Sequence, residues 1–443
     1  MHVLTRPVGR RSAPELVFRR LVARAHELGL PPPAALSGDW FGARAVLLPS
    51  VQVNPVADEV AHTVPCLQPT VTGPVPPGTV GGGWFGFLGY GLTDPGAWAT
   101  ARGLPNAVWG WADHVLRLDH GGQWWFEALV PDNRAEPVAL AAELAELVAA
   151  STEPARRPWR AGPLHRAPAA RHRAAVAGCV EQIAAGEIFQ ANVCTQFTAE
   201  FDGDPAELFA EGVARLDPAR AAYLAGDWGA VVSFSPELFL ARHGRTVRSS
   251  PIKGTLPRRG PEDEGNAARL RRSVKDVAEN VMIVDLVRND LGRVCVPGSV
   301  TVPELLKIRP APGVWHLVST VEGQLRPAVD DAELLAATFP PGSVTGAPKV
   351  RALELIAGLE DQPRQVYCGA VGLASPVAGM ELNVAIRTLE IRDGELRLGV
   401  GGGITADSDP QAEWLECLAK AAPLERLLTS GAAVACSVNQ RAR

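Results

Sequence analysis

Two pairs of acidic residues are spaced to serve a hard cation. Asp276 and Glu279 are three residues apart, as are Glu413 and Glu416. On a helix, residues three apart share a face. Mg²⁺ takes oxygen ligands and keeps several of its waters, so one or two direct carboxylates plus substrate oxygens suffice. The ordinary alternative, which spacing alone favours, is a solvated helix face with Lys275–Glu279 and Glu416–Lys420 pairs at i,i+4. Lys253, in Pro251-Ile252-Lys253-Gly254-Thr255, ends a strand-like run among small and apolar neighbours. A desolvated amine there can lose its proton and become a nucleophile. The competing role is an edge-strand charge that blocks aggregation. His316, between Trp315 and Leu317, reads more readily as a satisfied core histidine than as a catalyst.

Two glycine-containing segments come next. Gly399-Val400-Gly401-Gly402-Gly403-Ile404 almost matches a dinucleotide-binding loop, but Ile404 stands at the last glycine position. It also leads from a hairpin strand, and no acidic residue follows at the distance a ribose ligand needs. A dinucleotide fold is therefore disfavoured, although these glycines can let backbone approach a carboxylate closely. In Gly342 to Arg351 (GSVTGAPKVR), Ser343 or Thr345 can cap a helix and Pro348 suits its first turn. Such an N-terminus offers free N–H groups to an anion or another chain end, or simply starts a helix.

The composition narrows the class. The 443 residues carry 43 Lys+Arg against 48 Asp+Glu, with 47% hydrophobic and 21% charged residues, as in ordinary soluble globular proteins. A mildly acidic balance argues against nucleic acid or an anionic membrane as the main partner. No apolar run approaches the ~20 residues of a membrane span, and no apolar stretch follows the basic N-terminus as a signal peptide requires. Seven dispersed cysteines without a C-x-x-C pair fit free thiols in a reducing cytosol, so a cytoplasmic enzyme is expected. Only five of the 43 basic residues are lysine, and none precedes Lys253. In such a chain a lysine is of interest because arginine cannot give up its proton.

The elements that must position these residues follow from periodicity. Residues 1–150 read as a mixed region, with a helix over Glu15–Leu28 and a hairpin from His114 to Val130 about Gly121-Gly122. Residues 151–168, rich in Pro, Arg and Ala, read as a linker. Residues 169–428 form the next unit, and 429–443 a C-terminal tail. Val176, Val180 and Ile183 have helical spacing. Ala230–Leu240 and Thr246–Ile252 read as strands joined at His243-Gly244. Leu270, Val274, Val277, Val281 and Val284 predict one amphipathic helix. Leu382–Ile391 and Glu395–Val400 flank the turn signal Asp393-Gly394, and Ser408–Ala422 reads as a closing helix. Strands and helices without regular alternation predict an α+β fold of two subdomains.

Taken in order, these segments resemble the chorismate-binding enzymes, which include anthranilate, aminodeoxychorismate, isochorismate and salicylate synthases. The resemblance runs over residues ~170–425. It rests on Gly186-Glu-Ile-Phe-Gln-Ala-Asn192, Ser235-Pro-Glu237, Pro251-Ile-Lys-Gly-Thr255 and Ala278–Asp290. It continues through His316-Leu-Val-Ser319, Gly342–Lys349, Tyr367–Gly372, Asn383–Thr388 and the final GGGITADSDPQAEWLECLAK. The resemblance implies two antiparallel β-sheets packed together and flanked by helices. It implies Glu279 and Glu416 as Mg²⁺ ligands, with Asp276 and Glu413 as outer-shell acids. Glu237 matches the general acid that protonates the departing ring hydroxyl. Tyr367, Arg387, the backbone at Gly401 and Gly402, and Lys420 match positions that hold the substrate's carboxylates, while Thr255 and His316 match residues lining the ring pocket.

Two positions bear on the reaction. Isochorismate and salicylate synthases activate water with a lysine where this chain has Gln190, so hydration is not expected. Lys253 in P-I-K-G-T resembles the aminodeoxychorismate branch, where the lysine amine attacks C2 and ammonia then adds at C4. The expected activity is therefore amination of chorismate at C4, feeding p-aminobenzoate and folate, with anthranilate synthase component I as the close rival. A non-catalytic chorismate- or tryptophan-binding regulator is the rival of another class. No cysteine lies in a nucleophile-elbow setting, so ammonia is expected from a separate glutamine amidotransferase subunit. Gly83–Tyr90 resembles the family's glycine-aromatic strand, but Thr93-Asp94-Pro95 replaces the usual acidic residues after it. Leu36-Ser37-Gly38 could belong to a tryptophan pocket. Asn280 stands where many relatives have His, a change expected to be tolerated.

Overall fold

The computed structural model describes residues 1–93 and 103–441, with side chains described as far as Thr429. Asp94 and Pro95 lie outside the described residues. Two antiparallel sheets of 13 and 10 strands make up the core. Period-two alternation sets what each face meets. In the strand Arg220–Gly226, Ala221 and Tyr223 join one apolar cluster, and Ala222 and Leu224 join another. The second cluster lies between the sheets. Leu36, Val46 and Val231 enter it from the larger sheet, and Phe85, Phe87 and Val371 from the smaller.

Helices cover the outer faces. Pro14–Leu28, Val138–Ala149, Pro205–Leu216 and the start of Pro410–Arg441 pack on the larger sheet, with Phe18, Leu144, Phe209 and Leu424 fully buried. Val274–Gly292 and Asp331–Thr338 pack on the smaller one through Ile283, Leu291 and Leu334. Truncating such a large core side chain to Ala typically costs ~2–5 kcal/mol. The expected α+β architecture is present. Among the described residues no helix is long and apolar enough to cross a membrane, and the six described cysteines are free.

Chain position and spatial position differ. Strands from residues 1–150, including His2–Arg10 and Gly83–Leu88, sit in the same two sheets as strands from beyond residue 169. Residues 151–168 are not a bare linker, because Trp159–Ala161 and His165–Arg166 pair with the strand Gln190–Gly203. The last helix continues past Ala422 and through Pro423 to Arg441, where a tail was expected.

Three predicted elements are each two. Ala230–Leu240 divides at Pro236-Glu237 into Gly229–Ser235 in the larger sheet and Leu238–His243 in the smaller. Leu382–Ile391 divides at Ala385–Arg387, returning from the smaller sheet to the larger. The helix expected from Leu270 breaks at Ser273, whose hydroxyl accepts from the Asp276 amide to start Val274–Gly292. Val274 is consequently 85% exposed, and the buried stripe runs instead through Glu279, Ile283, Val287 and Leu291.

Candidate active site

The two crossings between sheets lie side by side and carry two of the predicted site residues. The Ser235 hydroxyl donates to Val384 O at 2.6 Å, Val384 N–H donates to Glu237 O at 3.0 Å, and Phe234 N–H donates to Arg387 O at 3.0 Å. Arg387 sits at φ 50°, a left-handed conformation that a non-glycine residue holds only where its surroundings impose it. Its half-buried guanidinium makes no ion pair or hydrogen bond among the described residues, and desolvation lowers its pKa. A cation without a counter-charge in the protein can pair with an anion.

Glu237 is buried, and burial raises its carboxyl to about 7 against the opposing Ser343 bond and the Lys253 charge. The Ser343 hydroxyl donates to it at 2.5 Å. A carboxylic acid with such a pKa holds a proton near neutrality and can release it. Ser343 therefore serves the acid and does not cap a helix; Thr345 donates to Pro341 O at 2.9 Å, and the helix begins only at Lys349. Neither predicted cap serves that helix, which starts behind Pro348 without a side-chain cap.

Lys253 lies on Ile252–Pro257, the edge strand of the smaller sheet, yet is buried, with Nζ 2.8 Å from Glu279 Oε1. Gln190 Nε2 donates to the same oxygen at 2.9 Å, while Gln190 Oε1 is buried without a partner. This trio explains Gly403, since a Cβ there would come within 2.0 Å of Glu279 Oε1 and 2.9 Å of Lys253 Nζ. Gly254, at φ +93°, has the Asp276 side chain 3.0 Å from where a Cβ would stand.

The acidic pairs meet across two helices. Glu416 pairs with Lys420 at 2.8 Å, as spacing predicts. Lys275 does not pair with Glu279; it reaches Glu413 at 2.9 Å, joining the helices Val274–Gly292 and Pro410–Arg441. Glu413 also accepts from Ser408 at 2.7 Å. Asp276 is held above its ordinary pKa by burial first, then by the charges of Glu279 and Glu416. Among the described residues no three His, Cys, Asp or Glu groups converge as a ready-made metal cage. Carboxylate oxygens with mutually repelling charge nonetheless fit a hard cation that draws further ligands from substrate and water.

Lys420 donates to Gly401 O at 2.8 Å, and a Cβ at Gly402 would face Glu413, Lys420 and Glu416. Gly401 and Gly402 stand in the ladder opposite Cys194 and Val193. His316 accepts or donates through Nδ1 to Thr255 at 2.9 Å, its Nε2 is unpartnered, and burial with the Arg387 charge lowers its pKa to about 3. It is a neutral imidazole with one nitrogen available. Tyr367 packs its ring on Gly399, and its hydroxyl accepts from Cys194 Sγ at 3.9 Å.

Sequence reasoning missed Ser343 as partner of the acid and Gln190 as partner of Glu279. It also missed Glu390, whose Oε1 accepts from Val366 and Tyr367 N–H at 3.1 and 2.9 Å. Asn280, buried, donates to Leu317 O at 3.2 Å and accepts from Ser319 at 2.5 Å. An amide thus fills the position with both of its functions used.

Residues 51–426 match the family model described as chorismate binding enzyme. Over 346 residues the chain is 39% identical to aminodeoxychorismate synthase component 1 of Klebsiella aerogenes, covering 76% of this chain and 75% of that one. It is 44% identical over 242 residues to the protein of the same name from Escherichia coli strain K12, spanning 54% of this chain and only 53% of that relative's length. Anthranilate synthase component I from Streptococcus pneumoniae TIGR4 superposes with a TM-score of 0.69 at 26% identity, covering 88% of this chain and 89% of that one.

Proposed function

This chain belongs to the chorismate-binding enzymes, and from that premise we propose that it is an aminodeoxychorismate synthase component I. It would aminate chorismate at C4 with ammonia from a separate glutamine amidotransferase subunit. The observation that carries this reading is Lys253, buried on its edge strand, ion-paired with Glu279 and close enough to Glu237 for its charge to oppose that carboxyl's raised pKa. Arg387 and Lys420 supply positive charge for a dianionic substrate, and neutral His316 with Thr255 lines the ring's position. Lys253 loses a proton to solvent, which ends its ion pair with Glu279, and the neutral amine bonds to C2 as the ring double bond shifts and the C4–O bond breaks. Glu237 delivers its proton to the C4 hydroxyl, which leaves as water. Ammonia then bonds to C4 and the C2–Nζ bond breaks, returning Lys253.

Glu279 and Glu416 would hold Mg²⁺, with Asp276 and Glu413 ordering its waters. When bound, the ion supplies charge that neutralises and orients a substrate carboxylate. Gln190 lacks the basic amine that hydration of the ring would need, which supports amination. The test is a product assay with chorismate, Mg²⁺ and ammonium chloride at neutral pH. The expected product is 4-amino-4-deoxychorismate, seen as p-aminobenzoate when a lyase is added. Fluorescent anthranilate would instead identify the rival activity, and no turnover with the amidotransferase present would favour a non-catalytic binding protein.

A further inference from the structure

One buried guanidinium joins segments that reach the reacting groups from different directions. Arg364 lies in the connection between the helix Lys349–Leu359 and the strand Ala370–Ser375, with its side chain 3% exposed. Its Nε and Nη2 donate to the two carboxylate oxygens of Glu360, at 2.9 and 2.6 Å. Nη1 donates to Val344 O at 2.8 Å, and Nη2 donates to Asn192 O at 2.5 Å. The Tyr90 ring lies against it, its centroid 4.5 Å from the guanidinium carbon. Glu360 in turn accepts from Cys194 N–H at 2.8 Å.

Val344 follows Ser343, whose hydroxyl donates to Glu237. Asn192 stands two residues along its strand from Gln190, which donates to Glu279. The short strand Gly346–Ala347 pairs only with Gln190 and Ala191. At Asn192 O and Cys194 N–H, the Arg364–Glu360 pair takes the place of a neighbouring strand. For stability alone, well-packed apolar residues often serve as well as a buried ion pair. What they lack is directed donors. A guanidinium presents five N–H groups in a fixed plane, and here that plane locks a turn to a strand.

We propose that Arg364 is a positioning residue for the acid: by holding Val344 O beside Asn192 O it fixes the turn Gly342–Val344 and so aims the Ser343 hydroxyl at Glu237. The inference rests on the amination reading above, in which Glu237 delivers the proton.

The test compares Arg364→Lys, Ser343→Ala and the double variant, with chorismate and ammonium chloride as substrates. Lysine keeps the charge beside Glu360, but its donors radiate from one atom and do not span the same acceptors. In each single variant kcat should fall about tenfold or more, while KM for chorismate stays within about twofold. The double variant should be no slower than the slower single one, because both act through one contact. The Ser343 bond lowers the pKa of Glu237, so the pH above which kcat falls should move upward in all three. The charged groups around that carboxyl, Lys253, Lys420 and Asp290, are unchanged by these substitutions. Tyr90→Leu removes the ring beside the guanidinium. It should move the same pH limb upward by less, and it serves if the Lys variant does not fold. Losses that multiply in the double variant, a pH limb that stays in place, or a lower melting temperature with kcat unmoved would overturn the proposal and leave Arg364 a packing residue. A wild-type protein that makes no aminated product with any nitrogen source would sink the functional reading before any variant is compared.

Discussion

Lys253 Nζ lies 2.8 Å from Glu279 Oε1, with both side chains buried, so the proposed nucleophile and a proposed metal ligand are each other's counter-charge. Burying two charges is expensive, and each here offsets the other while Gln190 donates to the same carboxylate oxygen at 2.9 Å.

Removing one member exposes that dependence. Lys253→Met should cost about 3–5 kcal/mol in urea denaturation with EDTA present, because it leaves Glu279 buried without a counter-charge. Mg²⁺ should restore more stability to the variant than it adds to the wild type. An equal Mg²⁺ response in both proteins would separate the metal from Glu279. Lys253→Arg keeps a cation beside Glu279 but should lose turnover, since a guanidinium does not become a neutral nucleophile.

The Glu237 carboxyl, raised to about 7 by burial from an ordinary 4.5, binds a proton in the folded chain that the unfolded chain lacks between those values. Its contribution to stability is complete below pH 4.5 and is lost as pH rises through 7. Catalysis should follow the same protonated form, so kcat at constant free ammonia should fall above pH 7. Glu237→Gln should lower kcat by roughly 10²–10⁴-fold and flatten the stability loss across that window. A kcat profile that rises through pH 7 would rule out Glu237 as the acid.

At the carboxylate cluster, Glu416→Ala should abolish Mg²⁺-dependent activity with an unchanged melting curve, as its side chain is half exposed. Glu413→Gln weakens the link to Lys275 and Ser408, and should reduce Mg²⁺ affinity by roughly 10–100-fold. Calorimetric titration with Mg²⁺ measures both, and unchanged affinity in Glu416→Ala would misplace the site.

Arg387→Leu removes a half-buried guanidinium that has no protein partner among the described residues. It should raise KM for chorismate by about 10–100-fold, the value of a charge-assisted hydrogen bond, and leave the fold intact because no internal ion pair is broken. A variant that melts early with normal KM would make Arg387 structural.

Much of this site was legible because it depends on spacing within single elements. Glu416–Lys420 is a helix pair, and the Asp393-Gly394 turn joins two paired strands. What spacing does not carry is which elements lie across from one another. Lys275 was expected beside Glu279 and instead reaches Glu413, because the final helix crosses there. The break at Ser273 was marked by Ser-x-x-Asp, a capping signal, yet the valine periodicity running through it is the louder pattern. Strand runs such as Ala230–Leu240 look continuous since both sheets bury β-branched and aromatic residues alike. Only Pro236, which cannot donate to a ladder, hints that the chain changes sheet beside Glu237.

That change of sheet makes the reacting groups sensitive to distant packing. Glu237 rides on one crossing and Arg387 on the other, and three backbone-linked hydrogen bonds tie the crossings together. The separation of acid and cation is thereby a gauge of how one sheet rests on the other. A substitution at Phe87 or Trp40, deep in the layer between them, would reset that gauge without touching a single ligand. On the proposed roles of Glu237 and Arg387 the apolar filling is part of the catalytic alignment, and a mutation that merely repacks it should be read first in kcat.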